Sequence, residues 1–339
     1  MDEAWKILCV ASEPSAGMVP FASMFINGKV RSGIEVFAVT VSNGDNDYTH
    51  LIGPQVHLYN SCYPTSLPGK AAVKFLPVKL YCLVRSIAIQ NGIKDIFLLT
   101  GEYGFGLGYG RRLNRRFNLH FVVHDFEPHP DKGEPLKNRL FNRFFNRMTV
   151  KNIRAAANLL TCSKAQAEKL RDAFPRKNVE YFPFPSLVTD AMKNGDKECP
   201  ELNGTDRYIL FFGRVSAYKG IDLLYDAFLD GNIDAKLVIA GYGTPYFSRR
   251  DDEHDVIWIN RFIKDEEVGR LFSRAGVVVY PYTQATMSGV LSIAHYFNTQ
   301  VIVSDMPFFI DNIADGDIVF KSGDKEALTS ILTDIYKRD

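Results

Sequence analysis

Phe211-Phe212-Gly213-Arg214-Val215-Ser216-Ala217-Tyr218-Lys219-Gly220 joins a strand-like run, residues 208–212, to a helix-like run, 221–228. A strand that ends in Gly-Arg and is followed by Lys-Gly just before a helix brings two cations to one mouth. That mouth lies at a strand's carboxyl end, beside a helix N-terminus whose free N–H groups favour anions. Arg214 offers a planar fork for phosphate oxygens and Lys219 a compact point charge, so the pair suits a diphosphate better than a single phosphate. Gly213 lets the backbone approach a ligand closely. Taken alone, two cations in a loop also describe a solvated turn.

Outward from this stretch, short apolar runs alternate with longer amphipathic ones. Strands are expected at 7–11, 35–40, 95–99, 119–123 and 158–162. After a break they resume at 208–212, 236–240, 256–259, 277–280, 300–303 and 317–320. Helical patterns fall between them, among them 18–32, 71–91 and 265–275. Such alternation calls for parallel sheets covered by helices on both faces. Ser163-Lys164-Ala165-Gln166 reads as a capping box opening a helix. The break, 187–206, is polar and rich in turn residues. The expected organisation is therefore two Rossmann-like, doubly wound α/β domains, 1–190 and 207–339, joined by a linker at 191–206. A cleft facing the carboxyl ends of both sheets is the place where open α/β sheets take ligands.

The 339 residues suffice for two cores. Forty Lys and Arg against 39 Asp and Glu leave the chain near neutrality, which gives no global pull toward nucleic acid. Five cysteines, odd in number and without a C-x-x-C pair, argue against a disulfide framework and a zinc site and suit a reducing cytoplasm. The opening residues carry Asp2 and Glu3 and run into a strand, so no signal peptide is expected. No apolar run approaches the roughly 18 residues that span a bilayer. The protein is expected to be soluble or peripheral.

The segments FFGRVSAYKGIDLLYDAF, LVIAGYG and INRFIKDEEVGRLFSRAGVVVYPY, taken in order, closely resemble the C-terminal half of family 4 retaining glycosyltransferases of the GT-B fold. The resemblance spans residues 208–319; upstream it rests on the hydrophobic pattern and on VVHDFEPHP at 122–130. It implies a nucleotide-diphosphate-sugar as donor substrate, no separate cofactor, and a saccharide or lipid-linked saccharide acceptor in surface polysaccharide biosynthesis. It also implies that Gly213, Gly241, Gly243 and Arg261 border the donor, and that a loop holding Gly17 faces the donor phosphates. Arg261 read by itself is equally a salt-bridge partner of Asp265 or Glu266, and Gly17 read by itself is first a plain strand-to-helix turn.

The segment 281–290, PYTQATMSGV, falls where the family usually carries two glutamates eight residues apart, one for the sugar and one for the ribose. Neither is present, and no Asp or Glu occurs between Pro281 and Val301. Gln284, Thr286, Ser288 and Gly289 are the candidates for that work, through uncharged hydrogen bonds and the N-terminus of a helix at 290–297. The departure also leaves open a decayed GT-B protein that binds or scaffolds without catalysing. A nucleotide-sugar epimerase would need cleft carboxylates, and no clear set is evident.

On the acceptor side, His124 ends a strand and is placed to bond the transferred sugar or steer the acceptor hydroxyl, or else is a half-buried core histidine. Glu127 and His129 read as acceptor-loop residues, and Glu102 as a further acceptor candidate. No glycosidase-like carboxylate pair is evident. In the family, retention is thought to proceed by front-face attack with the leaving diphosphate taking the proton, which makes Arg214 and Lys219 catalytic together with His124. A metal is not required on that scheme. The triplets Asp45-Asn46-Asp47 and Asp315-Gly316-Asp317 read as turns.

Arg139, Arg143, Arg147 and Lys151 recur every four residues, extended by Arg154, with Phe141, Phe144, Phe145 and Met148 on the opposing side. This is either a solvated face over a core face or a surface for an anionic membrane.

Overall fold

The computed structural model of the chain describes residues 5–13, 18–42, 48–62, 64–66, 69–70, 77–126, 136–251, 253, 255–284 and 288–337. They form two compact units, one up to Pro185 and one from Ser186.

The first unit holds β1 (Lys6–Ala11), β2 (Glu35–Ser42), β3 (His57–Cys62), β4 (Asp95–Leu98), β5 (Asn118–Val122), β6 (Asn158–Thr161) and β7 (Asn178–Tyr181). Their order is β3-β2-β1-β4-β5-β6-β7, all parallel, with Val10 opposite Val39 on one side and Leu98 on the other. Its helices are α1 (Met18–Arg31), α2 (Val78–Gln90), α3 (Tyr109–Asn114), α4 (Leu136–Ala155) and α5 (Lys164–Ala173). The second unit holds β8 (Tyr208–Phe212), β9 (Leu237–Ala240), β10 (Val256–Ile259), β11 (Ala275–Tyr280), β12 (Gln300–Ser304) and β13 (Ile318–Phe320), in the order β10-β9-β8-β11-β12-β13, again parallel. It adds α6 (Asp190–Asn194), α7 (Ile221–Asp230), α8 (Asp265–Ser273), α9 (Val290–Tyr296), α10 (Pro307–Ile310) and α11 (Lys325–Ile335).

Central strands are apolar throughout because helices cover both faces; Ile7 to Val10 and Tyr208 to Phe211 are fully buried. The two strands that the sequence does not announce, β3 and β7, are the edges of the first sheet. Every residue of β3 is exposed, and β7 reads Asn-Val-Glu-Tyr. An edge strand has no second neighbour and need not be apolar. The helix expected at 71–91 is described from Val78, after Pro77, which occupies its N-cap position.

The segment expected as a linker folds as part of the second unit. Thr189 caps α6 by accepting from the Met192 N–H and donates 2.8 Å to Asp265, the first residue of α8. A Cβ on Gly195 would stand 2.4 Å from the Glu266 carbonyl oxygen, so the chain lies directly on α8. Polar, turn-rich composition marked a break in the alternation and not a free tether.

Both sheets reverse direction at their first strand. β1 lies between β2 and β4, and β8 lies between β9 and β11. The crevice beyond the carboxyl ends of such a strand pair is where an open α/β sheet can admit a ligand without displacing a crossover.

Candidate functional site

In the second unit, the loops at this reversal are packed backbone against backbone. Gly213 leaves β8 at φ 144° and Gly241 leaves β9 at φ 147°. A side chain on Gly241 would meet the Gly213 carbonyl oxygen at 2.0 Å, and one on Gly243 the Val215 carbonyl oxygen at 2.4 Å. The Gly213 N–H donates to the Ala240 carbonyl and the Val215 N–H to the Tyr242 carbonyl, each at 3.0 Å. On the other flank, Gly220 opens α7 at φ 65°, where a Cβ would fall 2.1 Å from the Pro281 carbonyl oxygen. The 213–220 loop is thus clamped between the loops that follow β9 and β11.

Inside the clamp sits Lys219, only 8% exposed. Its Nζ donates 2.9 Å to the Tyr282 hydroxyl and lies 4.9 Å from the centre of that ring. A Cβ on Gly213 would stand 3.0 Å from Nζ, so the glycine leaves room for the ammonium at the mouth of β8. Burial pulls the Lys219 pKa down, and the nearby Arg214 charge pulls the same way against Tyr218. Among the described residues no carboxylate pairs with Lys219. Arg214 is exposed and likewise makes no ion pair there. Two adjacent cations, one desolvated and neither neutralised, form a built receptor for a multiply charged anion.

Tyr282 was passed over in the sequence. An aromatic residue just past the strand beside β8 was its only signal. Its carbonyl accepts from Ser304 at 2.6 Å and Ser322 at 3.2 Å, and its hydroxyl also bonds Ser288. The Thr283 N–H and hydroxyl both donate to the Tyr218 carbonyl, which ties the 281–284 loop to the Lys219 turn. Gln284 Oε1 is buried without a partner among the described residues. Gly289 is the N-cap residue of α9, where Ser292 donates 2.7 Å to its carbonyl. Thr286 and Gly17 lie outside the described residues.

Arg261 is taken up by carboxylates. It is held by Glu267 at 2.7 and 2.8 Å and by Glu201 at 2.7 and 3.0 Å, partners other than the Asp265 or Glu266 that spacing suggested. Glu267 also accepts from the Lys264 N–H at the start of α8, so the guanidinium secures a helix N-terminus. Its fork is already filled.

In the first unit, Glu102 corrects the expectation of an acceptor-facing carboxylate. It is 1% exposed and sits at φ 36°. It accepts from the Ser12 N–H at 3.0 Å, from the Thr100 N–H at 3.1 Å and from the Thr100 hydroxyl. It therefore ties the end of β1 to the end of β4 at the reversal point. Burial raises its pKa to about 7 in spite of those donors.

His124, half-buried just past β5, reaches the Leu99 carbonyl with Nε2 at 2.6 Å and meets the Phe21 ring edge-on at 4.9 Å. A carbonyl only accepts, so Nε2 carries the proton and Nδ1 is left as an acceptor. Desolvation lowers the His124 pKa, which favours this neutral form. The loop after it is held by Gln166, whose amide donates to the Val123 carbonyl at 2.8 Å and the His124 carbonyl at 3.3 Å while accepting from the Phe126 N–H at 2.8 Å. Gln166 is thus no capping-box partner: Ser163 caps α5 through the Gln166 N–H, but the Gln166 side chain points to the His124 loop. Glu127 and His129 lie outside the described residues.

Residues 192–339 match the family described as Glycosyl transferases group 1. That span contains the whole Lys219 clamp. No curated protein matches the chain. Among solved structures, sucrose-phosphate synthase from Thermosynechococcus elongatus superposes with a TM-score of 0.68 at 15% identity, over 98% of this chain and 89% of that one. HepE of Anabaena in complex with UDP-glucose gives 0.65 at 15% identity, over 98% and 90%. An alpha,alpha-trehalose-phosphate synthase (UDP-forming) from Burkholderia vietnamiensis gives 0.63 at 12% identity, over 98% and 92%. At such identities the likeness concerns the fold, and the fold is that of GT-B glycosyltransferases: two parallel-sheet α/β units. No helix among the described residues is long and apolar enough to cross a membrane.

Proposed function

We propose that the protein is a retaining glycosyltransferase that moves a sugar, of hexosyl type, from a nucleotide-diphosphate-sugar to a saccharide or lipid-linked saccharide. The observation that carries this reading is Lys219: a buried ammonium, beside an Arg214 without an ion pair among the described residues, with a phenol as its hydrogen-bond partner. Such a group favours a ligand that brings negative charge, and a diphosphate brings at least two. The UDP-glucose complex of a structural relative of the same fold is consistent with that ligand class. Retention of the clamp also favours catalysis over a decayed binding role, because Gly213, Gly220, Gly241 and Gly243 each keep a close approach that a side chain would block.

In the reaction, the bond between the sugar's anomeric carbon and the diphosphate oxygen breaks while the acceptor oxygen bonds that carbon from the same face. The acceptor proton passes to the departing diphosphate. Charge gathers on the phosphates, where Lys219 and Arg214 stabilise it without having to reorganise. No metal is needed for that neutralisation. The free Nδ1 of His124 suits a hydrogen bond from a sugar or acceptor hydroxyl. Surface polysaccharide assembly is the setting in which such acceptors occur, and α4 would meet the anionic inner leaflet through Arg139, Arg143, Arg147 and Lys151, all exposed.

A thermal-shift screen of nucleotide-sugars tests this directly. A ligand at about 100 times its dissociation constant adds about 2.7 kcal/mol of stability. One nucleotide-sugar is expected to raise the melting temperature of the wild type and not of Arg214→Ala, which should also lose about 100-fold in transfer rate. An equal shift in both proteins would remove the diphosphate assignment.

A further inference from the structure

A concentration of positive charge lies away from the reversal point of the first sheet. Residues 105–115 pack along the C-terminal half of α4, and between them opens a cavity of about 710 Å³. Arg111, Arg115, Lys151, Arg154 and Lys177 line it, and among the described residues no Asp or Glu does. Arg115 lies three residues before β5 and Lys177 directly precedes β7, so the cavity lies toward the amino ends of the strands. His124 and Glu102 stand at the carboxyl ends.

Four of the five cations, Arg111, Arg115, Lys151 and Arg154, make no side-chain ion pair or hydrogen bond among the described residues. The fifth has a different duty. Lys177 donates 2.8 Å to the Arg154 carbonyl and also bonds the Ala156 carbonyl, closing the C-terminus of α4. A helix C-terminus is the negative end of its dipole and would repel an anion. With Lys177 on those carbonyls, that repulsion is offset. Several other arginines in the chain do find carboxylates: Arg249 pairs with Glu253, Arg250 with Asp230 and Arg274 with Glu198. The cavity arginines have none to find.

We propose that this cavity is a second anion site, separate from the Lys219 clamp, that takes a phosphate-bearing ligand. Its volume matches that of a small-molecule pocket, roughly 300–1,000 Å³. Two arginines from one short segment and a Lys-Arg pair from α4 reach the ligand from two sides. Bidentate guanidinium contacts then fix a phosphate by geometry as well as charge. The site does not depend on the reading of Lys219.

Calorimetric titration with inorganic pyrophosphate tests it. The wild type should bind two equivalents. Arg111→Glu with Arg115→Glu should remove one of them, weakening it about tenfold or more, as expected for the loss of charge-assisted contacts. Arg139→Glu with Arg143→Glu makes the same charge change outside the cavity and should leave both equivalents in place. Lys219→Met should remove the other equivalent alone. If Lys219→Met removes all binding, or if Arg111→Glu with Arg115→Glu removes none, the second site is refuted. If Lys219→Met changes nothing while the cavity variant still loses its equivalent, the cavity stands and the donor reading fails. Phosphatidylcholine vesicles containing phosphatidic acid distinguish the source of the phosphate. A lipid headgroup in the cavity requires pyrophosphate to displace the vesicles from the wild type. A free phosphate compound requires pyrophosphate to bind while vesicle binding stays unchanged.

Discussion

Lys219 is held in a state that costs the free protein stability. Its pKa is lowered by burial, so the folded form binds its proton less readily than the unfolded chain does. While the folded form keeps its proton, the desolvation of the ammonium is felt in full. The cost is relieved only as pH rises through the lowered pKa toward the ordinary lysine value. Lys219→Met keeps the length of the side chain and removes the charge. It is expected to raise the melting temperature of the ligand-free protein, by about 2–4 °C for each kcal/mol relieved, and to abolish the shift produced by a nucleotide-sugar. A lowered melting temperature would instead make Lys219 a structural residue. Glu102 has the opposite sign. Its folded pKa, about 7, lies above the usual carboxylate range, so the folded form binds more protons through the window from about 4.5 to 7. Stability from this group is present in full below that window and lost as pH rises through it. Glu102→Gln keeps an acceptor for the Ser12 N–H and should flatten that part of a stability-versus-pH curve measured by urea unfolding. An unchanged curve would mean that the carboxylate does not titrate there. Neither behaviour is legible in the sequence, because both follow from burial: the spacing shows Lys219 as a cation between β8 and α7, but nothing in it shows the side chain desolvated or brings Tyr282 to it.

At the level of elements, legibility followed the continuity of apolar residues. β8 is legible to the residue because a fully covered strand must be a continuous apolar run, and the edge strand β10, only partly buried, is legible because its Val-Ile-Trp-Ile is apolar as well. β3 and β7 were missed because an edge strand can be polar. Gln166 shows a different limit. Its position after Ser163 matched a capping box, yet its side chain serves Val123, His124 and Phe126, 40 to 43 positions earlier. Local spacing cannot reveal a partner that only the parallel pairing of β5 with β6 brings near. The glycine contacts could be read only as permission for close approach, whereas the structure makes them obligatory. Gly241→Ala forces a methyl group to within 2.0 Å of a backbone oxygen at a φ of 147°. The ends of β8 and β9 must then separate, and a loss of at least about 2 kcal/mol is expected in denaturant unfolding, in line with the strain of such conformations. The same change should weaken nucleotide-sugar binding. Gly33, whose added Cβ meets nothing within 4 Å, serves as the comparison: at φ 79° Gly33→Ala should show the backbone strain without the collision. Equal losses at both positions would show that the strand ends are not locked together.

For the molecule as a whole, near-neutrality conceals a division. Of the 40 Lys and Arg, 24 fall in residues 1–185, as do 15 of the 39 Asp and Glu; that unit therefore carries +9 and the remainder −8, which together give the chain's +1. A sequence-wide sum gave no pull toward any polyanion, but each unit separately has a strong field. α4 concentrates the positive one: Arg139, Arg143, Arg147, Lys151 and Arg154 are exposed, with Leu140 at 61% and Phe141 at 42% exposure at its N-terminal end. Met148 and Ile153 bury the opposite face. A helix seated by its apolar face and presenting cations with two bare apolar side chains suits an anionic bilayer surface better than plain water. Each cation near such a leaflet is worth about 1 kcal/mol, so four together suffice for reversible attachment. The expected result is co-sedimentation with anionic vesicles at low salt, lost near 1 M salt, where the Debye length falls to about 3 Å. Arg139→Glu with Arg143→Glu should abolish it, while neutral vesicles should not bind at any salt. Binding that persists at high salt would assign the attachment to Leu140 and Phe141. Absence of binding at low salt would make the stripe a solvated face and favour a soluble saccharide as acceptor.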